Sequence, residues 1–89
     1  MKLIRVTVPW PHGLHLRAAS ELVRLSRRFR AQVLLQVDSR IADTESVLSL
    51  LQLGAGRGTP LEVIACGGDE HEACMAVQNF FQQHAFDGE

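Results

Sequence analysis

The sequence predicts an α+β fold in which helices pack on one face of a single β-sheet. Stretches of alternating apolar and polar residues, typical of half-buried strands, are interspersed with stretches of helical periodicity in the order β-α-β-β-α-β-α. The length of 89 residues is that of one domain, spanning 1–89. The composition, with 46% hydrophobic and 21% charged residues, is typical of a packed soluble protein and too apolar for disorder.

The first half of the chain contains three predicted strands and one helix. Residues 2–8 alternate as a strand whose buried face is Ile4, Val6 and Val8. Residues 11–15 form a loop, because Pro11 and Gly13 interrupt the strand pattern. A helix over 16–28 follows, and Gln32–Val37 and 40–42 are predicted as strands joined by a turn at 38–39. The first helix has apolar or small residues along one face: Ala19, Leu22, Val23, Ser26 and Phe29.

A short helix over 47–53 follows, with Ser46 as its N-cap and Gly54 as its stop. Two turns cannot bury every apolar position, so Leu50 and Leu53 are predicted in the core, and Leu48 and Leu51 at an interface. The glycine-rich loop 54–60 lacks the Lys-Ser/Thr ending of a nucleotide-binding loop and is predicted to be a connector.

The last third of the chain contains one strand and one helix. Residues 61–66 alternate as a strand. Asp69 is predicted to cap a helix over 70–84, and the tail at 87–89 is expected to fray. The apolar positions of this helix recur at helical spacing: Ala73, Val77, Phe80 and Phe81.

Charge and cysteine content narrow the class of protein. A formal net charge of −1 gives no reason to expect binding to nucleic acid or to a membrane. Arginines cluster between positions 17 and 30, which fits an acidic partner or anionic ligand and fits a solvated helix face equally well. Cys66 and Cys74 are predicted to be reduced, buried or half-buried packing residues. Without a signal peptide or a long apolar run, a cytoplasmic location is expected.

His15 is the candidate nucleophile. It falls at the start of the first predicted helix, where free backbone N–H groups and the positive end of the helix dipole favour an anion. An imidazole is a nucleophile near neutral pH, and the guanidinium of Arg17 is well shaped to hold phosphate oxygens. These groups predict a histidine that accepts a phosphoryl group.

The other histidines and the single tryptophan are further candidates for a role. His12 and His15 lack a third metal ligand nearby in sequence, so no metal site is predicted and His12 is interpreted as a loop residue near the phosphate. His71 and His84 are predicted to be surface residues of the last helix. The pattern does not decide whether Trp10 shields the loop or packs at its edge.

Three segments in register carry a resemblance to a known family. Residues Gly13, Leu14, His15, Arg17 and Ala19 match an active-site pattern. Residues 46–58 match a regulatory-serine helix with its following loop, and residues 67–73 match the start of a last helix. Together they resemble the HPr family, the histidine-containing phosphocarriers of the bacterial sugar phosphotransferase system.

The resemblance implies an open-faced β-sandwich, with a four-stranded antiparallel sheet in the order 1-4-2-3 and three helices on one face. It implies that Nδ1 of His15 accepts a phosphoryl group from enzyme I, itself phosphorylated by phosphoenolpyruvate, with Arg17 as the clamp. The group then passes to an enzyme IIA-type component, so the protein is a carrier and not a turnover enzyme, and it needs no cofactor.

The resemblance also implies partners and a regulatory site. An HPr kinase/phosphorylase is a possible partner at Ser46, and the carrier is expected to be a monomer that neither binds nucleic acid nor inserts into a membrane. Two alternatives stay open: a regulatory carrier for nitrogen or carbon control without sugar transport, and an adaptor that docks on a transcription factor. The implied docking surface has an apolar centre formed by Leu16, Val47, Leu48 and Leu51. Its polar rim is formed by Ser20, Arg24 and Arg27.

Overall fold

The computed structural model describes residues 1–82, and its elements follow the predicted order. The predicted helix end at 84, the predicted surface position of His84 and the tail at 87–89 lie outside these residues. The observed boundaries differ from the predicted ones by at most two residues. The elements are β1 (Lys2–Thr7), α1 (Leu16–Ser26), β2 (Gln32–Val37), β3 (Arg40–Asp43), α2 (Val47–Gln52), β4 (Pro60–Cys66) and α3 (Glu70–Gln82).

The four strands form one open antiparallel sheet in the order β1-β4-β2-β3, as expected. β4 is central and pairs with both β1 and β2, so that Ile64 is opposite Leu3 on one side and Leu34 on the other. Val33, Leu35 and other residues of one face are buried in the core. Leu3 on the opposite face is exposed. This alternation follows from the period of two along a strand and leaves one face open to solvent.

The helices cover the buried face of the sheet. α1 ends at Ser26, two residues before the predicted end. The N–H groups of Arg28 and Phe29 donate to carbonyls only three residues back, which tightens the chain into turns and leaves Phe29 half-buried. The buried face of α1 includes Ala18 in addition to the predicted residues and lacks Phe29, which lies beyond the helix. It consists of Ala18, Ala19, Leu22, Val23 and Ser26.

Asp69 directly precedes α3, yet its carboxylate binds a different segment from the one predicted. Its two oxygens accept hydrogen bonds from the backbone N–H groups of Arg30 (2.9 Å) and Ala31 (2.8 Å). The backbones at Gly67 and Ala31 also approach closely. An ideal Cβ on Gly67 would lie 2.6 Å from the Cα of Ala31. The hydrogen bond from Arg30, with that from Ala31, lowers the pKa of the Asp69 carboxyl below its ordinary value. Asp69 therefore ties the start of α3 to the start of β2.

The two cysteines differ in burial. Cys74 is buried in the core, as predicted. The prediction is wrong for Cys66, which is exposed at the end of β4 because Val63 and Ala65 alternate with it and take the buried face. His71 is exposed on α3, as predicted. No helix within residues 1–82 has both the length and the apolar character needed to cross a bilayer.

Candidate functional site

His15 is the N-cap residue of α1, with an extended backbone (φ −87°, ψ −179°). Its N–H donates to the carbonyl of Gly13 (2.9 Å), and its own carbonyl accepts from the N–H of Ala19 (2.8 Å). The first turn of α1 contains no acidic residue. The positive end of this helix is therefore not neutralised by its own side chains, and His15 stands where an anion is favoured.

His15 and Arg17 contribute to one open depression. The depression is lined by His12, His15, Leu16 and Arg17. His15 is half-buried with its Nε2 atom inaccessible to solvent, whereas Arg17 is exposed. The ring of His12 lies edge-on to that of His15, with 6.2 Å between centroids and 79° between planes. The structure thus brings the two predicted phosphoryl-handling residues together and adds His12 beside them.

Trp10 anchors the start of the loop 11–15, which precedes α1. The sequence did not decide this role. The Trp10 ring is completely buried and packs against two aromatic rings of α3, with centroid distances of 5.3 Å to Phe80 and 5.1 Å to Phe81. The Trp10 carbonyl accepts from the N–H of Gly13 (2.9 Å) and closes a turn that has Pro11 and His12 at its centre. The only sequence signal for this anchor is a large aromatic residue just before the loop.

The glycine-rich segment 54–58 supports the other side of the loop. The carbonyl of Ala55 accepts from the N–H of Leu14 (2.9 Å). Gly13 has a φ of +69°, and an ideal Cβ there would lie 2.6 Å from the oxygen of Ala55 and 2.8 Å from the Cα of Gly56. The loop 11–15, here called the histidine loop, packs directly against this segment. The segment therefore supports the site and is not only the predicted connector.

Ser46 is the N-cap of α2, as predicted. Its Oγ accepts from the N–H of Ser49 (3.1 Å), and the Oγ of Ser49 accepts from the N–H of Asp43 (2.9 Å). Ser46 is half-buried and is not among the residues that line the depression at His15. The two predicted phosphorylation positions are thus on different elements.

The residues predicted for docking are mostly exposed. Leu48 and Leu51 are 65% and 37% exposed, while Leu50 and Leu53 are buried, which confirms the predicted division of α2. Leu16 is 62% exposed at the start of α1, and α1 contacts α2. Val47 departs from this pattern, because it is half-buried and packs against the core.

The predicted rim lies on α1 and the turn that follows it. Ser20 is half-buried, and Arg24 and Arg27 are exposed. Arg24 forms an ion pair with Glu21, one helical turn earlier, at 2.7 Å. Such exposed pairs stabilise a helix only slightly, so Arg24 can exchange this partner for one on another protein.

Within the described residues 1–82, no group of three or more His, Cys, Asp or Glu side chains is placed to hold a metal ion. The chemistry available at the depression is that of two imidazoles, one guanidinium and the N–H groups of a helix start. An imidazole that is held beside a cation and a helix N-terminus is suited to nucleophilic attack on phosphorus and to holding the resulting anion.

A family model described as "PTS HPr component phosphorylation site" matches residues 3–83. The chain belongs to the HPr family. It is similar to the phosphocarrier protein HPr of Xylella fastidiosa, with 32% identity over 77 residues and 86% of each chain covered. It is also similar to the phosphocarrier protein NPr of Escherichia coli, with 41% identity over 70 residues and 78% of each chain covered.

Solved structures of the family share the fold. A crystal structure of HPr from Thermoanaerobacter tengcongensis superposes with a TM-score of 0.88 at 27% identity, covering 92% of each chain. The expected open-faced arrangement of the HPr family, with three helices on a 1-4-2-3 sheet, is therefore confirmed. The protein is an HPr-family phosphocarrier.

Proposed function

We propose that this phosphocarrier receives a phosphoryl group on His15 from phosphorylated enzyme I and passes it to an enzyme IIA-type component of a sugar phosphotransferase system. The supporting observation is the position of His15 at the N-terminus of α1, in an open depression that Arg17 also lines. Transfer between two proteins requires a nucleophile on the surface, and a histidine held on a loop meets that requirement.

The transfer exchanges one bond to phosphorus for another. The lone pair of Nδ1 of His15 attacks the phosphorus, while the bond between phosphorus and the donor group of enzyme I breaks and its electron pair leaves with that group. Burial of Nε2 supports Nδ1 as the attacking atom, because a solvent-inaccessible nitrogen cannot meet a donor protein. Arg17 and the backbone N–H groups at the start of α1 stabilise the negative charge of the phosphoryl oxygens.

Docking would use the exposed leucines of the first two helices. Leu16, Leu48 and Leu51 supply apolar surface, Val47 supports it from below, and Ser20, Arg24 and Arg27 supply a polar rim. A small patch of this kind suits a transient complex that buries less than about 1,200 Å². In this proposal the carrier is a cytoplasmic monomer that binds neither nucleic acid nor membrane and is not itself a turnover enzyme.

A regulatory carrier without sugar transport is the second candidate function. The observation in its favour is the similarity to NPr, at 41% identity, beside that to HPr at 32%. Mixing the phosphorylated protein with a sugar-specific enzyme IIA distinguishes the two. Rapid loss of the phosphoryl group supports the sugar relay, and its retention supports the regulatory carrier.

Phosphorylation of His15 can be tested with enzyme I and phosphoenolpyruvate. Intact-mass analysis should show one acid-labile phosphoryl group, absent from His15→Ala and present on the matched variant His71→Ala, whose histidine is exposed on α3. No added mass on the wild type, or an unchanged adduct on His15→Ala, would contradict the proposal.

Arg17→Ala should slow phosphorylation by about tenfold or more, because it removes a charge-assisted contact to the phosphoryl oxygens. The melting temperature should change little, since contacts of an exposed side chain contribute little to stability. Arg28→Ala is the control, because Arg28 is also exposed but lies just beyond the far end of α1. Equal rates for the two variants would remove Arg17 from the mechanism.

We further propose Ser46 as the substrate of an HPr kinase/phosphorylase, supported by its register within the segment 46–58. Incubation with such a kinase and ATP should give an acid-stable adduct that is lost in Ser46→Ala and kept in Ser49→Ala. If no adduct forms, Ser46 is a helix cap only, and Ser46→Ala should then cost about 1 kcal/mol of stability and nothing else.

A further inference from the structure

The turn before His15 presents a second imidazole to the same depression. His12 is exposed, and the depression that it shares with His15 also contains Leu16 and Arg17. The two imidazole centroids are 6.2 Å apart. At this separation a group attached to His15 and projecting into the depression comes within reach of the His12 ring.

The position of His12 is determined by buried groups on both sides. Trp10, two residues before it, is completely buried, and its carbonyl accepts from the N–H of Gly13, the residue after His12. Gly13 is in turn pressed against the backbone of Ala55 and Gly56. A turn closed in this way holds the backbone of His12 in place, so the proximity of the two residues does not depend on a freely moving loop.

We infer that His12 is a third contact for the phosphoryl group on His15, beside Arg17 and the helix N-terminus. The inference rests on the proposed phosphorylation of His15. With Nε2 of His15 buried, the phosphoryl group is placed on Nδ1, and the His12 ring that lies beside His15 in the same depression is its neighbour. A neutral imidazole has one N–H donor and a protonated one has two, so His12 donates a hydrogen bond to a phosphoryl oxygen in either state.

An equilibrium measurement separates this role from a contact with a partner protein. The position of phosphoryl exchange between enzyme I and the carrier depends only on the stabilities of the free species, because docking contacts change the rates and not the equilibrium. A hydrogen bond to a charged group that exists only in the phosphorylated carrier should shift the equilibrium by about tenfold. His12→Ala should therefore leave about ten times more of the phosphoryl group on enzyme I.

The experiment compares four proteins at equilibrium with phosphorylated enzyme I. His12→Asn keeps a donor in a shorter side chain and should recover most of the wild-type ratio, while His71→Ala, on α3, should match the wild type. The isolated phosphoprotein should also lose its phosphoryl group faster in His12→Ala than in the wild type. Circular dichroism checks that each variant is folded.

The outcomes identify which proposal fails. If wild-type His15 is not phosphorylated, the proposed function fails. If the wild type is phosphorylated and His12→Ala has the same equilibrium ratio and the same hydrolysis rate, the role of His12 is wrong. A change in transfer rate alone, at an unchanged equilibrium, would also overturn the inference and assign His12 to docking.

Discussion

At the scale of single residues, His15 combines a fixed backbone with a partly accessible ring. Its carbonyl and N–H are both hydrogen-bonded, whereas its side chain is not used to cap the helix that it precedes. Most N-cap side chains accept a hydrogen bond from the first helical turn, which satisfies one of the N–H groups there. The His15 side chain does not occupy this position, which is consistent with a site that holds a phosphoryl group.

The buried hydroxyl of Ser26 lowers the stability of the folded protein. This hydroxyl lies in the core on the buried face of α1, where its oxygen has no hydrogen-bond partner. Burial of an unsatisfied polar group costs about 1–3 kcal/mol. Ser26→Ala should therefore raise the free energy of unfolding by about 1 kcal/mol, because the hydroxyl is lost and the small void that remains offsets part of the gain. Urea denaturation followed by the fluorescence of the single tryptophan measures this change.

The control for Ser26 is a serine with a partner. Ser49→Ala removes an oxygen that accepts from the N–H of Asp43, and it should lower the free energy of unfolding. Equal destabilisation by both substitutions would show that the Ser26 hydroxyl has a partner in solution.

At the scale of elements, the loop between β1 and α1 depends on contacts from the rest of the chain. The N–H of Val8, just beyond β1, donates to the carbonyl of Thr59, and the carbonyl of Val8 accepts from the N–H of Gly58. The N–H of Leu14 donates to the carbonyl of Ala55. The loop is therefore held along its length, and the orientation of His15 is determined before any partner binds.

Gly13 is the position where this packing is tightest. Gly13→Ala should destabilise the protein by about 2 kcal/mol or more, because a Cβ would clash with Ala55 and because L-residues disfavour a φ of +69°. Phosphorylation of His15 should slow as well, since the loop must move away. Thermal unfolding and the enzyme I assay measure the two effects.

Gly56→Ala is the matched control, because a Cβ at Gly56 would meet nothing within 4 Å. It should retain both stability and phosphorylation. If Gly13→Ala behaved like Gly56→Ala, the close approach of the two loops would have no effect on the site.

At the scale of the whole molecule, contacts between distant parts of the chain hold the site. Trp10, near the start, packs on Phe80 and Phe81 of the last helix. The start of that helix is bound through Asp69 to the beginning of β2. Loss of either contact should therefore affect the position of α3 and, through it, the histidine loop.

The Asp69 contact predicts how stability depends on pH. The pKa of its carboxyl is lowered in the folded state, so its stabilisation is complete above the ordinary value of 3.8 and is lost as the pH falls through the lower folded value. Asp69→Asn should therefore have a lower melting temperature than the wild type at pH 7. The difference should shrink below about pH 4, where the carboxyl of the unfolded wild-type chain begins to take up protons and the folded one still does not.

Melting temperatures measured between pH 2 and pH 7 test this prediction. Glu45→Gln is the control, because Glu45 is an exposed loop residue, and its melting profile should follow that of the wild type. A constant difference between Asp69→Asn and the wild type across the whole range would show that the hydrogen bonds do not depend on the carboxylate charge.

Much of the fold could be predicted because periodicity is a local property. The division of α2 into buried Leu50 and exposed Leu48, like the order of the strands and helices, follows from spacing alone. Cys66 could also have been predicted correctly, since the same alternation that buries Ala65 turns its neighbour outward. The error came from applying the general preference of free cysteine for burial.

The sequence by itself determined which elements form, which faces they bury, and which histidine and arginine stand at the start of α1. Only the tertiary structure decided that Trp10 packs on α3, that Ala55 supports the histidine loop, and that Asp69 binds β2. The physical reason is that the direction of a side chain within a helix or strand follows from the period of that element, which is read along the sequence. The contacts of loops and turns form between residues distant in sequence, and these meet only when the sheet and helices pack.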